Sequence, residues 1–463
     1  MSRPNLPSIL MTAPSPVVSS MSIETSVLDP IIATPTFARF VLEKKGILDQ
    51  NSVITLSIHP DTAGGAGGAF LPLRTGAHAA IKQAVLKVGT KVLATSQDYA
   101  YLQTVRRQFK TMEEKSGKDM VKVGTIDAMC PDSAGLGRYQ VRDVVYDAAG
   151  TAATVPPQFK LQTSTVDTPV WTVKLSELFG FMRNVQLPLF LMSEPVSVEL
   201  TFHQQSAADG TLCLFSGAGA ACSVGSANLK FIADYLTYTQ EQMNQTAKLT
   251  MSETGLSIPY EDQVLTTAQY PAVAAAGSVR QTRDIGLAGR RVRNLVIHER
   301  PAAVNGLLGA YSAAAPQKPS AVNFRVNDSP IYARPITSES RHQHLLSQVF
   351  GTDLNVCQAE YSYNGQVKAD DDTYAVDNSG IVESTLEGKS QTVLRAQQHF
   401  LGVDLTTTPM NVPGAGTLIG QAPIRFEETC NYVAGDLAAR TVRMFATVER
   451  DFMLRNGQVS VSA

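Results

Sequence analysis

The chain has 463 residues, more than one ordinary hydrophobic core organises, so we expect two or three domains. Charged residues make up only 17%, which is typical of a protein that packs against copies of itself, although a β-rich protein high in Ala, Thr and Ser would show it too. The net charge of −2, and an N-terminus with Arg3 as its one basic residue before Arg39, argue against a coat protein that binds nucleic acid directly.

The cysteines and the apolar runs exclude further classes. There are five cysteines and no CxxC pair, so a disulfide framework and a zinc ribbon are both disfavoured, and reduced thiols are expected. No apolar run approaches the roughly 18 residues that a membrane-spanning helix needs. Four prolines interrupt the first 16 residues, which is unlike a signal peptide.

The first half of the chain is predicted to be rich in strands. Residues 1–36 are rich in Pro, Ser and Thr and are interpreted as an extended arm. Alternation over 53–59 predicts a strand, and residues 80–94 predict a hairpin that turns at Gly89-Thr90. Apolar residues three or four apart predict a helix over 97–114.

The stretch from Val170 to His203 carries the clearest pattern. It begins with an alternating strand around Trp171, and Ser176 is the predicted N-cap of a short amphipathic helix. An apolar segment, LPLFL, contains Pro188, and a second alternating strand covers 196–203. We therefore expect a β-rich domain to be built around this stretch.

A second unit of similar design follows. It contains a strand with charged ends (GRRVRNLVIHER, 289–300), a hairpin, and a helical segment over 337–350. The segment 442–458 aligns without a gap on 229–245 at the end of the first unit, so that Ile232 falls on Phe445. The repeat predicts an all-β protein with a few short helices, made of two consecutive eight-stranded jelly-roll sandwiches at 37–248 and 249–463.

At this point the sequence resembles a known family. The segment SELFGFMRNVQLPLFLMSEPVSVELTF (176–202), the hairpin before a helix, and the repeated terminal strand are similar to the double jelly-roll major capsid proteins of double-stranded DNA viruses, including virophages, polinton-like viruses and nucleocytoplasmic large DNA viruses. The resemblance covers about residues 37–463. It implies a structural subunit that forms homotrimers with a pseudo-hexameric outline and tiles an icosahedral shell.

The same resemblance implies the protein's surroundings. The expected partners are other copies, neighbouring trimers, and minor capsid, cement and penton proteins, with no sequence-specific nucleic acid. The expected location is the virion, after synthesis in the host cytoplasm or nucleus. Residues predicted to pack in the core near the end of the first jelly roll are Trp171, Phe179, Phe181, Leu187, Pro188, Phe190, Phe202 and Phe231.

Candidate chemistry is sparse. His342 and His344 could share a metal only on a strand, and Asp370-Asp371-Asp372 lacks the spacing of a calcium loop. Glu427 and Glu428 would face opposite sides of a strand, which is a poor arrangement for a catalytic pair. We predict no catalytic residue, no cofactor and no metal, and the alternative function is a two-jelly-roll glycan-binding protein or glycoprotein amidase.

Overall fold

The protein is represented by a computed structural model, and antiparallel strands dominate the part of the chain that it describes. The described residues are 21–60, 69–70, 75–108, 110, 114–125, 169–203, 214–215, 222–252, 255–301, 319–350, 375–376, 381–386, 389–394, 399–407, 414–432 and 439–462.

Strands of the first half make two facing sheets and one small two-stranded sheet. They are β1 (Ser22–Leu28), β2 (Ile32–Thr34), β3 (Phe37–Val41), β4 (Ile47–Leu48), β5 (Val53–Pro60), β6 (Ala69–Phe70), β7 (Ile81–Val88), β8 (Lys91–Gln97), β9 (Trp171–Lys174), β10 (Val196–Phe202), β11 (Leu214–Phe215) and β12 (Cys222–Thr237). One facing sheet has the order β1-β12-β5-β9, with β4 also on β12, the other has the order β2-β3-β10-β7-β8, and β11 pairs with β6 in the small sheet.

Strands of the second half repeat this arrangement. They are β13 (Leu256–Tyr270), β14 (Gly277–Ile285), β15 (Arg291–Pro301), β16 (Pro319–Val326), β17 (Ser329–Pro330), β18 (Ala375–Val376), β19 (Ile381–Leu386), β20 (Lys389–Leu394), β21 (His399–Asp404), β22 (Thr417–Leu418), β23 (Ile424–Tyr432), β24 (Arg440–Arg455) and β25 (Gln458–Ser462). The two main sheets have the orders β13-β24-β15-β21 and β14-β23-β16-β17.

The helices are short. They are α1 (Tyr99–Gln108), α2 (Met120–Val123), α3 (Leu175–Leu178), α4 (Phe181–Asn184), α5 (Gln240–Thr250) and α6 (Glu339–Phe350), with 3₁₀ turns at Gly76–Ala80 and Leu189–Leu191 and a π-helical turn at Glu114–Asp119. Helix α5 connects the halves, and α1 and α6 each follow a hairpin.

The two halves share one strand order. In the first sheet β1, β12, β5 and β9 correspond to β13, β24, β15 and β21, and in the second β3, β10, β7 and β8 correspond to β14, β23, β16 and β17. Each half therefore has the eight strands of a jelly roll, with a few short extra strands. This confirms the predicted fold class and supports the internal repeat inferred from the terminal strands.

Local details differ from the sequence prediction at three places. Residues 22–34, assigned to the arm, form the outer strands β1 and β2. Strand β1 lacks the pattern of a core strand, because Ser22, Glu24 and Ser26 are polar and none of its residues is fully buried. The helix predicted over 97–114 is α1, ten residues long. The residue before α3 is Lys174 rather than Ser176, because the strand β9 runs directly into the helix.

Candidate assembly site: the joint between the halves

The two halves meet along strands that belong to both. Strands β13 and β24 pair over their full length, from Leu256 opposite Leu454 to Tyr270 opposite Arg440. Alternate residues near one end, including Tyr270, pack in the core of the second half. Residues near the other end pack in the core of the first half: Ile258, Tyr260, Phe452 and Leu454, joined by Val459 of β25. The first sandwich is thus closed by strands of the second.

Aromatic packing holds this joint. The ring of Phe181 in α4 lies 4.8 Å from the ring of Tyr260 and 5.6 Å from that of Phe452, both edge-on. The hydroxyl of Tyr260 donates a 2.7 Å hydrogen bond to the carbonyl of Leu93. Gly180 precedes the helix because a Cβ there would lie 2.6 Å from the carbonyl oxygen of Glu261. Buried aromatic pairs of this kind contribute about 0.5–1.5 kcal/mol beyond the area that they bury.

The hairpin between β24 and β25 makes a second attachment. Asn456 and Gly457 both have positive φ, 49° and 76°, as a tight two-residue hairpin turn requires. The backbone N–H of Ser193 donates to the carbonyl of Gly457 at 2.9 Å. The ammonium group of Lys91 donates to the carbonyl of Val459 at 2.6 Å. The end of the second half is thereby fastened to the first.

Helix α1 covers part of the outer face of the second half's β13-containing sheet. Ala100, Tyr101 and Leu102 of α1 form a buried cluster with Val296 and Phe445 of that sheet, and Leu346 of α6 also belongs to the cluster. We call this cluster the helix seat.

Charged groups flank the helix seat. Arg443 donates to Asp98 at 2.7 Å, and its guanidinium lies 3.9 Å from the centre of the Tyr101 ring. The ring of Tyr101 is in turn 5.2 Å from that of His298. A cation over an aromatic face contributes about 0.5–2 kcal/mol, more as water is excluded. The contact therefore combines apolar burial with a directional polar anchor.

Ion pairs surround the rest of the joint. Arg293 bonds to Glu449 at 2.6 Å and also to Glu261, so one guanidinium joins three strands. Arg450 bonds to Asp262 at 3.1 Å. Burial raises the pKa of Asp262, and the charge of Arg450 opposes that shift.

A buried charged cluster lies at the opposite end of the second half. Arg440 bonds to Glu299 at 2.5 Å, to Glu428 at 3.2 Å and to the hydroxyl of Tyr432 at 2.5 Å, and Arg440, Glu299 and Glu428 have side chains with no solvent exposure. Burial, together with the neighbouring charge of Glu299, raises the pKa of Glu428. Two acidic side chains and one guanidinium thus link the two sheets.

A second polar cluster lies in the first half. The hydroxyl of Tyr99 is 3.1 Å from Nδ1 of His78, and Lys122 bonds to Glu177 at 2.6 Å. Burial lowers the pKa of His78 to about 4. Burial opposes ionisation of Glu177, but the charges of His78, Lys122 and Lys110 together lower its pKa to about 2.

The outer faces of the two remaining sheets carry the same salt-bridge pattern. In the first half Glu199 of β10 lies between Lys87 at 2.5 Å and Arg39 at 3.7 Å. In the second half Glu427 of β23 lies between Arg280 at 2.7 Å and Arg325 at 3.0 Å. Because β10 corresponds to β23, each half has a carboxylate on the equivalent strand between cations on its two neighbours. No sequence pattern identified these pairs.

The predicted core residues are placed as follows. Side chains that are 3% exposed or less are Trp171, Phe179, Phe181, Leu187, Phe202 and Phe231. Pro188 is also buried, whereas Phe190 is only half-buried. Phe190 is the middle residue of the turn Leu189–Leu191, where Leu189 points into the core and Phe190 turns away from it. Phe181 faces the joint, a role that the sequence did not reveal.

The candidate chemical residues are separated by the structure. His342 is buried and His344 exposed on α6, so the two rings cannot share one metal ion. Glu427 faces outward and Glu428 inward on β23. Asp370, Asp371 and Asp372 lie outside the described residues. In the described ranges no group of three or more His, Cys, Asp or Glu side chains could hold a metal ion.

No helix in the described part of the chain is long and apolar enough to cross a bilayer.

Solved structures share this fold over nearly the whole chain. A chain in the cryo-EM structure of the Sputnik virophage matches with a TM-score of 0.58 and 10% identity, over 95% of this chain and 88% of that one. VP54 of PBCV-1, fitted into a reconstruction of Sputnik, matches with 0.55 and 11%, over 96% and 97%. The Faustovirus major capsid protein matches with 0.52 and 10%, over 95% and 91%. No protein-family model and no curated protein matches the sequence.

The similarity defines the class of fold. Two consecutive jelly rolls with a common strand order make a double jelly-roll protein, and the matched chains cover both halves together rather than one alone. The resemblance seen in the sequence is therefore confirmed for the fold.

Proposed function

We propose that this chain is a structural subunit of an icosahedral viral capsid, without enzymatic activity. Three copies assemble into a homotrimer with a pseudo-hexameric outline, and the trimers tile the shell. The observation that carries the proposal is the repeat of one eight-strand order in both halves of a chain whose fold matches the Faustovirus major capsid protein. Three copies of two similar sandwiches supply six similar units around an axis, as a hexagonal outline needs.

The joint supports this proposal physically. A subunit that occupies two positions of a pseudo-sixfold ring needs its halves held at a fixed angle. Here the first half's core includes Tyr260 and Phe452 of the second half, and the ion pairs of Arg293 and Arg450 surround that contact. The division at residues 37–248 and 249–463 remains a proposal about repeating units, since the core crosses it.

The proposal extends to partners and location. The partners are neighbouring trimers together with minor capsid, cement and penton proteins, and the location is the virion after synthesis in the host cytoplasm or nucleus. The alternative is a glycan-binding protein or glycoprotein amidase, and the experiment below distinguishes it from a capsid subunit.

The test is the mass and shape of the purified full chain. Size-exclusion chromatography with light scattering should give three times 49.7 kDa or a larger assembly, and negative-stain microscopy should show hexagonal outlines. A stable monomer of 49.7 kDa that cleaves a glycan or glycoprotein substrate would overturn the proposal.

A further inference from the structure

One apolar row on the second half is covered in part by helix α1 of the first half. Leu265 pairs with Phe445 and Phe445 with Val296, so their three side chains lie side by side on the outer face of the sheet. Val296 and Phe445 are each 3% exposed, because helix α1 of the first half and Leu346 of α6 pack with them in the helix seat. We call these three residues the covered row.

The equivalent row on the first half is open. The strand correspondence, and the sequence alignment of 229–245 on 442–458, both place Ile232 where Phe445 stands. Ile232 pairs with Val27 on one side and with Val53 on the other, so these residues occupy the same three positions. Val27 is 63% exposed, and Ile232 and Val53 are half-buried. We call them the open row.

Exposed apolar side chains concentrate on strand β1 and in the residues that flank it. Of the ten large hydrophobic side chains exposed in the described ranges, five lie within residues 21–32; they are Met21, Ile23, Val27, Ile31 and Ile32. Strand β1 is the outermost strand of its sheet in the described part of the chain, where soluble proteins usually place charges or prolines. A cluster of this kind marks a surface that another molecule covers.

The polar anchor is repeated as well. Arg443, which bonds to Asp98 and stacks on Tyr101 beside the covered row, corresponds to Lys230 beside the open row. Lys230 is 39% exposed and bonds to Asp29, which is itself 73% exposed. A cation therefore stands at the same position in both halves, but only in the second half does the other half cover it.

We infer that the open row is the surface through which the first half of one copy contacts the second half of another copy of this chain. In a closed ring of alternating first and second halves, each first half touches two second halves, its own and that of the next copy. The intrachain joint shows that helix α1 of the opposite half contributes to the burial of an apolar row at this sheet position. A head-to-tail contact repeated between copies closes into a ring, as the proposed trimer requires. The inference rests on the proposed function and adds its interface.

The first experiment is a charge substitution on the open row. Val27→Asp leaves the core intact because this side chain faces solvent, and we expect an unchanged circular dichroism spectrum and thermal transition with loss of assembly, from three times 49.7 kDa to 49.7 kDa. The matched control is Leu418→Asp on β22, where the wild-type side chain is 53% exposed and which should assemble like the wild type. Normal assembly of Val27→Asp, or equal loss in both variants, would overturn the inference.

The second experiment identifies the partner surface. A photo-crosslinking amino acid at position 27 of the full chain should form an intermolecular crosslink that mass spectrometry locates within residues 249–463 of a second copy. Crosslinks to residues 1–20 of the same copy, or between two positions 27, would contradict the inference while leaving the capsid proposal standing. A wild-type chain that remains monomeric would contradict both.

Discussion

Phe452 offers the sharpest test of the shared core, because its strand belongs to the second half and its side chain to the first. It is fully buried, and its ring lies 5.6 Å from that of Phe181. Replacing a buried phenylalanine by alanine costs about 3–5 kcal/mol from lost transfer free energy and the cavity left behind. We expect Phe452→Ala to lower the free energy of unfolding by this amount. The first half should be destabilised more than the second.

Hydrogen exchange measured by mass spectrometry would locate that loss. In Phe452→Ala, peptides that contain β5 and α4 of the first half should lose protection, although the substitution lies far along the chain. The matched control is Met444→Ala on the same strand, which is 1% exposed and packs in the second half's core, at a cost of about 2–5 kcal/mol. Its loss of protection should fall on β15 and β23 instead. If Phe452→Ala loosened only second-half peptides, the shared core would be refuted.

Two other predictions concern buried charge. Burial holds the pKa of His78 near 4, below its usual 6.5, so the folded state binds fewer protons there than the unfolded state, and the free energy of unfolding should fall by up to about 3 kcal/mol as pH falls from about 6.5 to 4. In urea unfolding at pH 7 and pH 4.5, His78→Gln should lose less stability between the two pH values than the wild type. For the second-half cluster, the raised pKa of Glu428 favours its neutral form, so the neutral substitution Glu428→Gln should change the urea midpoint little, whereas Arg440→Met leaves Glu299 without its cation and should cost about 3–5 kcal/mol. Equal losses in the last two variants would contradict a raised pKa at Glu428.

The sequence predicts a strand well where one face of the strand is buried and the other is exposed to solvent. Strand β10 follows its alternation of Val196, Val198, Leu200 and Phe202, because each of these residues meets the same core. The hairpin at Gly89 is also predictable, since φ at that residue is +57°, a conformation that favours glycine. The repeat between the terminal strands was recoverable because β12 and β24 occupy the same place in their sheets.

The joint was not predictable from the sequence. Ile258 and Tyr260 alternate as any strand would, and alternation does not say which sandwich a strand will cover. The buried charges were missed for a related reason. Glu299 and Arg440 stand near strand ends, where charged residues usually meet water, and only the packing of two sheets brings them together with Glu428 away from it. Phe190 shows the converse case, an aromatic residue in the densest apolar segment that remains half-exposed.

The attachment of β25 to the first half also constrains the order of events during synthesis. Lys91 and Val459 are separated by 368 positions, and Ser193 and Gly457 by 264, so these contacts have very high contact order. A ribosome-bound chain that has not yet reached residue 452 has a first sandwich lacking Phe452, Leu454 and Val459. Folding of the first sandwich is therefore completed only after the last strands have been translated. A chain that terminates earlier lacks these side chains from the core of its first half.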